Sequence, residues 1–276
     1  MNGAPGGSTP LSSSADSGLP SFASPPVVEV AVAVEFLQLP SLGAVELVRL
    51  HELWRDQFPK LREQPALPPS PPVGAAQGFQ FQFTVGAPAM RLWMLNESED
   101  ELLQVQNDRV VLNWRQSLGD DHRYPRYDYL RDVYQRVYAD FYTRVRQLNV
   151  GTFRPHTAGV TYVNRFKLEA DETLRDAIAL LNPNWNLLGD AATSEVSITT
   201  PVASSEGPGA LTGQLVAKAS SDSNDGNYGY LEVVTRVGVD DASGDVFDCL
   251  DLAHRSCVVG FDRLTTAKMH ERWGKE

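Results

Sequence analysis

The stretch LQVQNDRVVLNWRQ, residues Leu103–Gln116, decides the predicted fold. Apolar and polar residues alternate on both sides of Asn107-Asp108, which predicts a β-hairpin with a two-residue turn. One face of this hairpin is apolar and consists of Leu103, Val105, Val110, Leu112 and Trp114. The other face carries, beside Val111, the hydrogen-bonding residues Gln104, Gln106, Arg109, Asn113 and Arg115. Solubility alone does not require so many hydrogen-bonding groups on one face, so we expect them to form a recognition surface.

The residues before the hairpin predict a leader, a strand, a helix and a loop. Residues 1–24 are mostly Gly, Ser, Pro and Ala, a composition typical of a disordered leader. Valines then alternate with small or acidic residues from Val28 to Glu35, which predicts a strand. A helix capped by Ser41 follows. Its apolar stripe is Val45, Val48, Leu50, Leu53 and Trp54. The many prolines of residues 59–77 predict an extended loop.

Strands and a long helix complete the first half. One predicted strand has Phe79, Phe81, Phe83 and Val85 on one face, and the next contains Leu92 and Met94. After the hairpin, apolar residues recur at spacings of three and four from Tyr127 to Leu148, which predicts a helix with one apolar stripe. That stripe consists of Leu130, Val133, Val137, Phe141 and Val145.

The second half repeats this order of elements. TAGVTYVNRFKL predicts a strand, DETLRDAIALL a helix capped by Asp171, and three further alternating segments lead to a final helix near Asp245. Both halves thus follow a β-α-β(3–4)-α pattern, which indicates an internal duplication. The alternative is two unrelated α+β units. The expected fold is α+β: two sequential helix-on-antiparallel-sheet halves, residues 25–150 and 151–276, in a TATA-binding-protein-like or helix-grip arrangement.

Composition limits the classes of function. The chain has 276 residues and a formal net charge of -11, which argues against direct nucleic-acid binding because phosphate contacts need clustered Lys and Arg. The most apolar run, VVEVAVAVEFL, contains two glutamates and is too short to cross a membrane. Cys249 and Cys257 lie about 12 Å apart along one predicted helix, too far for a disulfide. Two unpaired cysteines and no recognisable signal peptide predict a cytoplasmic protein.

Catalytic and metal-binding motifs are missing from the sequence. None of the five histidines stands in a zinc-binding pattern, and there is no phosphate-binding or nucleophile-elbow motif. Asp120, Asp121 and His122 could support hydrolytic chemistry, but a polar turn before a helix is the favoured interpretation. We therefore expect no enzyme activity, no metal and no cofactor.

The segment TYVNRF contains two polar residues that cannot share a face. Asn164 and Arg165 are neighbours in a predicted strand, so one of them must point toward the helix layer. An unpaired buried polar group costs about 1–3 kcal/mol, so the buried one should have a specific partner, such as an acidic side chain from a helix. Structural pairing and ligand contact are both open interpretations.

Four motifs, taken in chain order, resemble those of one protein family. PPVVEV, QVQNDRVVLNWR followed by YPRY, VTYVNRF and GFDRLTTAKMHERWG together resemble a sporadically distributed, functionally uncharacterised bacterial family of roughly this length. The resemblance covers most of residues 25–275. A patchy distribution implies accessory gene sets, such as defence or toxin-neutralising modules. The family supplies no catalytic residues and no cofactor.

These observations favour a non-enzymatic protein that recognises a protein partner through an open sheet face. A homodimer is compatible with the same prediction. The expected binding residues are Gln104, Gln106, Arg109, Asn113, Arg115, Asn164 and Arg165. The alternative is a small-molecule or nucleotide sensor with a cavity of about 300 Å³ or more between helix and sheet. Its expected lining is Arg165, Asn164, Arg109 and Tyr134.

Overall fold

A computed structural model describes residues 18–70, 73, 90–116, 124–181, 195–204, 211–222, 227–239 and 245–276. Within these residues the strands form one antiparallel sheet in the order β2-β3-β4-β5-β1-β6-β9-β8-β7. The strands are β1 (Val27–Phe36), β2 (Lys60–Pro65), β3 (Met90–Leu95), β4 (Glu101–Gln106), β5 (Arg109–Arg115), β6 (Pro155–Lys167), β7 (Glu195–Ser204), β8 (Leu211–Asp222) and β9 (Tyr228–Gly238).

The described helices are α1 (Ala44–His51), α2 (Tyr127–Leu148), α3 (Leu174–Ala177), α4 (Val246–Leu264) and α5 (Ala267–Trp273). Helix α2 packs on β1 and β5, whereas α4 packs on β6, β8 and β9. The predicted α+β class with an antiparallel sheet is therefore confirmed. We call the sheet face toward these helices, with Val32 and Leu112, the inner face. The opposite face, with Ala33 and Glu35, is the outer face.

The hairpin has the predicted register. Val105 pairs with Val110 and Leu103 with Leu112 across β4 and β5. Their side chains are buried on the inner face, as is Trp114. The long helices are also as predicted, because α2 begins and ends at the expected residues and its whole apolar stripe is buried. Asp245 caps α4 by accepting a hydrogen bond from Phe247 N.

Helix α1 differs from its prediction in its cap and in its buried face. It begins after Gly43, and no side chain caps it. Val45 and Val48 are 61% and 47% exposed. Leu50 and Trp54 are buried as predicted, and Leu47, which the predicted stripe did not include, is buried with them. These three residues also follow helical spacing, so periodicity alone allowed two stripes and packing against α2 and β3 selected one.

Helix α3 is much shorter than the predicted helix from Asp171. Thr173, not Asp171, precedes it and forms a capping box with Asp176. The chain leaves the helix at Ile178, where it forms an isolated β-bridge with Thr265. This long-range pairing ends the helix early, despite the helical spacing of the residues that follow.

The predicted disordered leader does not extend to residue 24. Phe22 is buried, and its ring makes edge contacts with Phe261 and Trp273. Ala23 N donates to Gly274 O at 2.9 Å, and Ser24 N donates to Trp273 O at 3.0 Å. The start of the described chain is therefore tied to its C-terminal end. Composition missed this contact because it depends on one phenylalanine side chain and on backbone hydrogen bonds.

The predicted loop of residues 59–77 contains a strand. Residues 60–65 form β2, which pairs with β3 at the edge of the sheet. An edge strand tolerates its terminal Pro65, because a proline N has no hydrogen to donate. Residues 66–70 then run across the outer face, and we call them the crossing segment. The predicted strand of Phe79 to Val85 lies outside the described residues.

Candidate functional site

The outer face of the first half is covered rather than open. Gln104, Gln106, Arg109 and Asn113 lie on this face as predicted, yet each is 8% exposed or less. The expectation that they face solvent is therefore wrong. The crossing segment and the strands themselves supply their hydrogen-bond partners.

Arg109 holds the crossing segment. Its guanidinium makes two hydrogen bonds to the Asp108 carboxylate, at 2.9 and 3.1 Å. It also donates to Pro68 O at 2.9 Å and to Ser70 Oγ at 3.4 Å. Ser70 Oγ in turn donates to Glu35 Oε1 at 2.9 Å. Arg109 thus links the turn of the hairpin to the segment that crosses it.

Gln106 binds the backbone of the crossing segment both as a hydrogen-bond acceptor and as a donor. Its Oε1 accepts from Leu67 N at 2.8 Å, and its Nε2 donates to Leu67 O at 3.0 Å. A side-chain amide can satisfy both backbone groups of one residue in this way. Gln106 and Arg109 are direct partners across β4 and β5. Together they form a cross-strand Gln–Arg pair that binds an extended chain.

A second network lies further along the outer face. Gln104 Oε1 accepts from Arg91 Nη1 at 2.8 Å and from Trp93 Nε1 at 2.9 Å. Gln104 Nε2 donates to Asn113 Oδ1, and Asn113 Nδ2 donates to Glu29 Oε1, both at 2.6 Å. Burial and the neighbouring Arg109 charge lower the pKa of Arg91. The network links side chains of the four neighbouring strands β3, β4, β5 and β1.

The remaining predicted site residues are dispersed. Arg115 Nε donates to Glu99 O at 2.9 Å. Arg165 lies on the outer face, where its guanidinium is 3.7 Å from the centre of the Tyr228 ring. Asn164 points to the inner face and donates to Leu231 O at 3.0 Å. The expected specific partner of Asn164 therefore exists, but it is a backbone carbonyl rather than an acidic side chain.

The predicted sensor lining is not assembled either. Arg109 and Arg165 lie on the outer face, whereas Asn164 and Tyr134 lie on the inner face. Tyr134 donates to Val110 O at 3.0 Å, and burial raises its pKa well above the usual value. Asp120, Asp121 and His122 lie outside the described residues. Among the described residues, no group of three or more His, Cys, Asp or Glu side chains could hold a metal ion.

Beyond the crossing segment the outer face forms a groove of about 330 Å³. Its lining residues are Ala33, Glu35, Ser70, Thr157, Gly159, Thr161, Gln214, Val216, Lys218, Glu232, Val234 and Arg236. Ala33, Gly159 and Thr161 have small side chains. The floor of the groove is therefore deeper at these positions than at the larger side chains on either side. Arg236 donates to Glu35 Oε2 at 2.9 Å, and this ion pair connects the groove to Ser70.

A second Gln–Arg pair faces this groove. Gln214 and Arg236 are direct partners across β8 and β9. As Arg109 is paired with Asp108, so Arg236 is paired with an acidic residue, Glu35. Sequence reasoning missed both groove residues, although alternation along their strands places them on one face. The missing information was the strand order, which brings β1, β6, β9 and β8 side by side.

Comparison with models of known families, with curated proteins and with solved structures found no match. No helix within the described ranges is long and apolar enough to cross a membrane.

Proposed function

We propose that this protein is a non-enzymatic recognition protein that binds an extended segment of a protein partner in the outer-face groove. The observation that carries the proposal is the crossing segment. It is an extended chain on this same face, and side chains of the sheet bind its backbone directly.

The groove offers the same chemistry as the covered half. Gln214 and Arg236 present a carboxamide beside a guanidinium, as Gln106 and Arg109 do for Leu67 and Pro68. A carboxamide can pair with both backbone groups of one residue, and a guanidinium can donate to a carbonyl while paired with an acid. Bonds to backbone groups position an extended segment, and the side chains of the groove then select its sequence.

The charge of the protein favours a particular kind of partner. A formal net charge of -11 gives long-range attraction to a protein that is basic outside the bound segment. Toxins and nucleic-acid enzymes often have such basic surfaces. An accessory role in a defence or toxin-neutralising module follows from the resemblance and fits this charge.

We also propose that the sheet arose by duplication of a TATA-binding-protein-like unit. The strand order supports this, because β5, β4 and β3 follow β1 on one side as β9, β8 and β7 follow β6 on the other. In each half a long helix on the inner face, α2 or α4, follows the last strand. The groove lies across the junction of the two units.

Site-specific photo-crosslinking in extracts of the source organism tests the recognition function. A photoreactive amino acid at Thr161 lies in the groove, and the same amino acid at exposed Thr143 on α2 is the control. We expect one partner to be crosslinked at Thr161 and not at Thr143, through a contiguous segment that mass spectrometry can map. Gln214→Leu should weaken that crosslink.

Equal crosslinking at both positions, or none at Thr161, would contradict the proposal. A crosslink at Thr161 that Gln214→Leu leaves unchanged would argue against backbone recognition by the Gln–Arg pair.

A further inference from the structure

A cavity of about 190 Å³ lies on the inner face, where the two halves of the sheet meet. Its walls come from β1, β6, α2 and α4, and residues 19–22 with Pro25 also border it. The groove proposed for partner binding is on the opposite face of the sheet. The cavity is therefore a separate site from the groove proposed for partner binding.

A chain of hydrogen bonds lines one side of the cavity. Tyr124 and Tyr162 share a hydrogen bond between their hydroxyls at 2.9 Å, and the Tyr162 hydroxyl also contacts His254 Nδ1 at 2.9 Å. The Tyr127 ring stacks on the His254 ring at 3.9 Å with an angle of 5° between their planes. Tyr127 is itself fixed by a hydrogen bond to Asp251. These polar groups are thus held in place before any ligand arrives.

The Tyr162 hydroxyl stays neutral. Burial raises its pKa well above the usual value, and the nearby Tyr124 raises it further. The charged groups close to the cavity have other partners. Asp251 receives two hydrogen bonds from Arg131, and Arg126 donates to Phe22 O.

Most of the remaining lining is apolar, with contributions from Leu19, Phe22, Pro25, Val27, Val258 and Phe261. Ser21, Arg126 and Asn164 also border the cavity. The cavity therefore combines a mostly apolar wall with one fixed cluster of hydroxyl and imidazole groups. Such a combination suits a ligand with an apolar body and a single polar group.

The volume limits the size of that ligand. A closed apolar cavity of about 150 Å³ is known to hold benzene. The cavity described here is somewhat larger, so it has room for an aromatic ring with one small substituent.

We propose that this cavity binds a small neutral aromatic molecule with one hydrogen-bonding group, and that the Tyr124–Tyr162–His254 chain bonds to that group.

Isothermal titration calorimetry of the full chain tests the proposal with three probes: phenol, toluene and benzoate. We expect phenol to bind, toluene to bind more weakly, and benzoate not to bind. Tyr162→Phe and Tyr124→Phe should each weaken phenol binding by about tenfold and leave toluene unchanged, since each removes one hydrogen-bonding hydroxyl from a buried site. Tyr138→Phe, which removes a hydroxyl outside the cavity, is the matched control.

Blocking variants test the location of the site. Val258→Phe should fill the cavity and abolish binding of phenol and toluene, whereas the same change at exposed Val48 should not. Leu19→Trp at the edge of the cavity gives a second blocking variant if Val258→Phe does not fold. Undiminished phenol binding in a folded blocking variant would overturn the proposal. So would a preference for benzoate, or no heat of binding with millimolar phenol.

Discussion

Arg109 shows how one residue can have the predicted orientation and a different role. Its side chain points to the outer face, as alternation along β5 requires, but it is 7% exposed and has bonds to Asp108, Pro68 and Ser70. A guanidinium with this many fixed partners stabilises the fold. Its availability to a binding partner is correspondingly small.

Arg109→Ala should lower the free energy of unfolding by about 1–3 kcal/mol, because the partly buried Asp108 carboxylate and the Pro68 carbonyl each lose a donor. Arg115→Ala is the matched control, since that side chain donates to Glu99 O and has no part in holding the crossing segment. It should cost about 0.5 kcal/mol or less. Urea unfolding of both variants measures the difference, and similar losses would show that the crossing segment is not held by Arg109.

Glu172 provides a pH-dependent contact between α5 and the loop before α3. Hydrogen bonds from Arg272, and then from Glu169 N and Lys268, lower the pKa of Glu172 to about 2 despite its burial. Because this pKa lies below the ordinary value of 4.5, the contribution to stability is fully present above about pH 5 and is lost as the pH falls toward 2.

Glu172→Gln should therefore lower the melting temperature at pH 7. The difference from the unaltered protein should shrink as the pH is lowered from 5 toward 2, because the native carboxyl then becomes protonated as well. Thermal unfolding at a series of pH values measures this. A difference that stays constant across the series would rule out the ion pair as its cause.

At the scale of elements, single contacts decide where segments begin and end. Phe22 ties residues 21–24 to α4 and α5, and Arg126 adds a hydrogen bond to its carbonyl. The crossing segment likewise becomes part of the fold through Gln106 and Arg109. Neither segment has a periodic apolar pattern, so each depends on one or two side chains.

Phe22→Ala should lower the free energy of unfolding by about 3–5 kcal/mol, as expected for truncation of a buried phenylalanine. Leu37→Ala removes an apolar side chain that is 52% exposed and should have little effect. Chemical denaturation of the two variants compares them. A loss below about 1 kcal/mol for Phe22→Ala would restore the prediction that the leader ends at residue 24.

At the scale of the molecule, the two halves share one sheet. β1 pairs with β5 of its own half and with β6 of the other, so Val32 lies between Leu112 and Val160. Buried side chains from both halves belong to one contiguous core. The halves should therefore unfold together, even if they arose by duplication.

Phe141 and Phe261 are matched positions at which to test whether the two halves unfold together, since each is buried on the long helix of its half. Phe141→Ala and Phe261→Ala should each cost about 3–5 kcal/mol and should each lower one common transition. Differential scanning calorimetry measures both effects. Two separate transitions, with only one lowered by each variant, would mean that the halves unfold independently.

The local periodicity of apolar residues was sufficient to predict much of the fold. Alternation around Asn107-Asp108 predicted the hairpin register, and the spacing from Leu130 to Val145 predicted α2, because the direction of a side chain depends on its own strand or helix. The same rule predicted that Asn164 and Arg165 point to opposite faces. Periodicity was insufficient for α1, where two apolar stripes were available.

The sequence by itself determined which face the residues of the predicted strands occupy, and only the tertiary structure decided what covers that face. The partners of Gln106 and Arg109 in the crossing segment are 39 and 41 residues away along the chain. The groove likewise depends on β1, β6, β9 and β8 being neighbours, although their chain positions are far apart. Periodicity describes the orientation of a residue relative to its near neighbours. It contains no information about which distant segment packs against it.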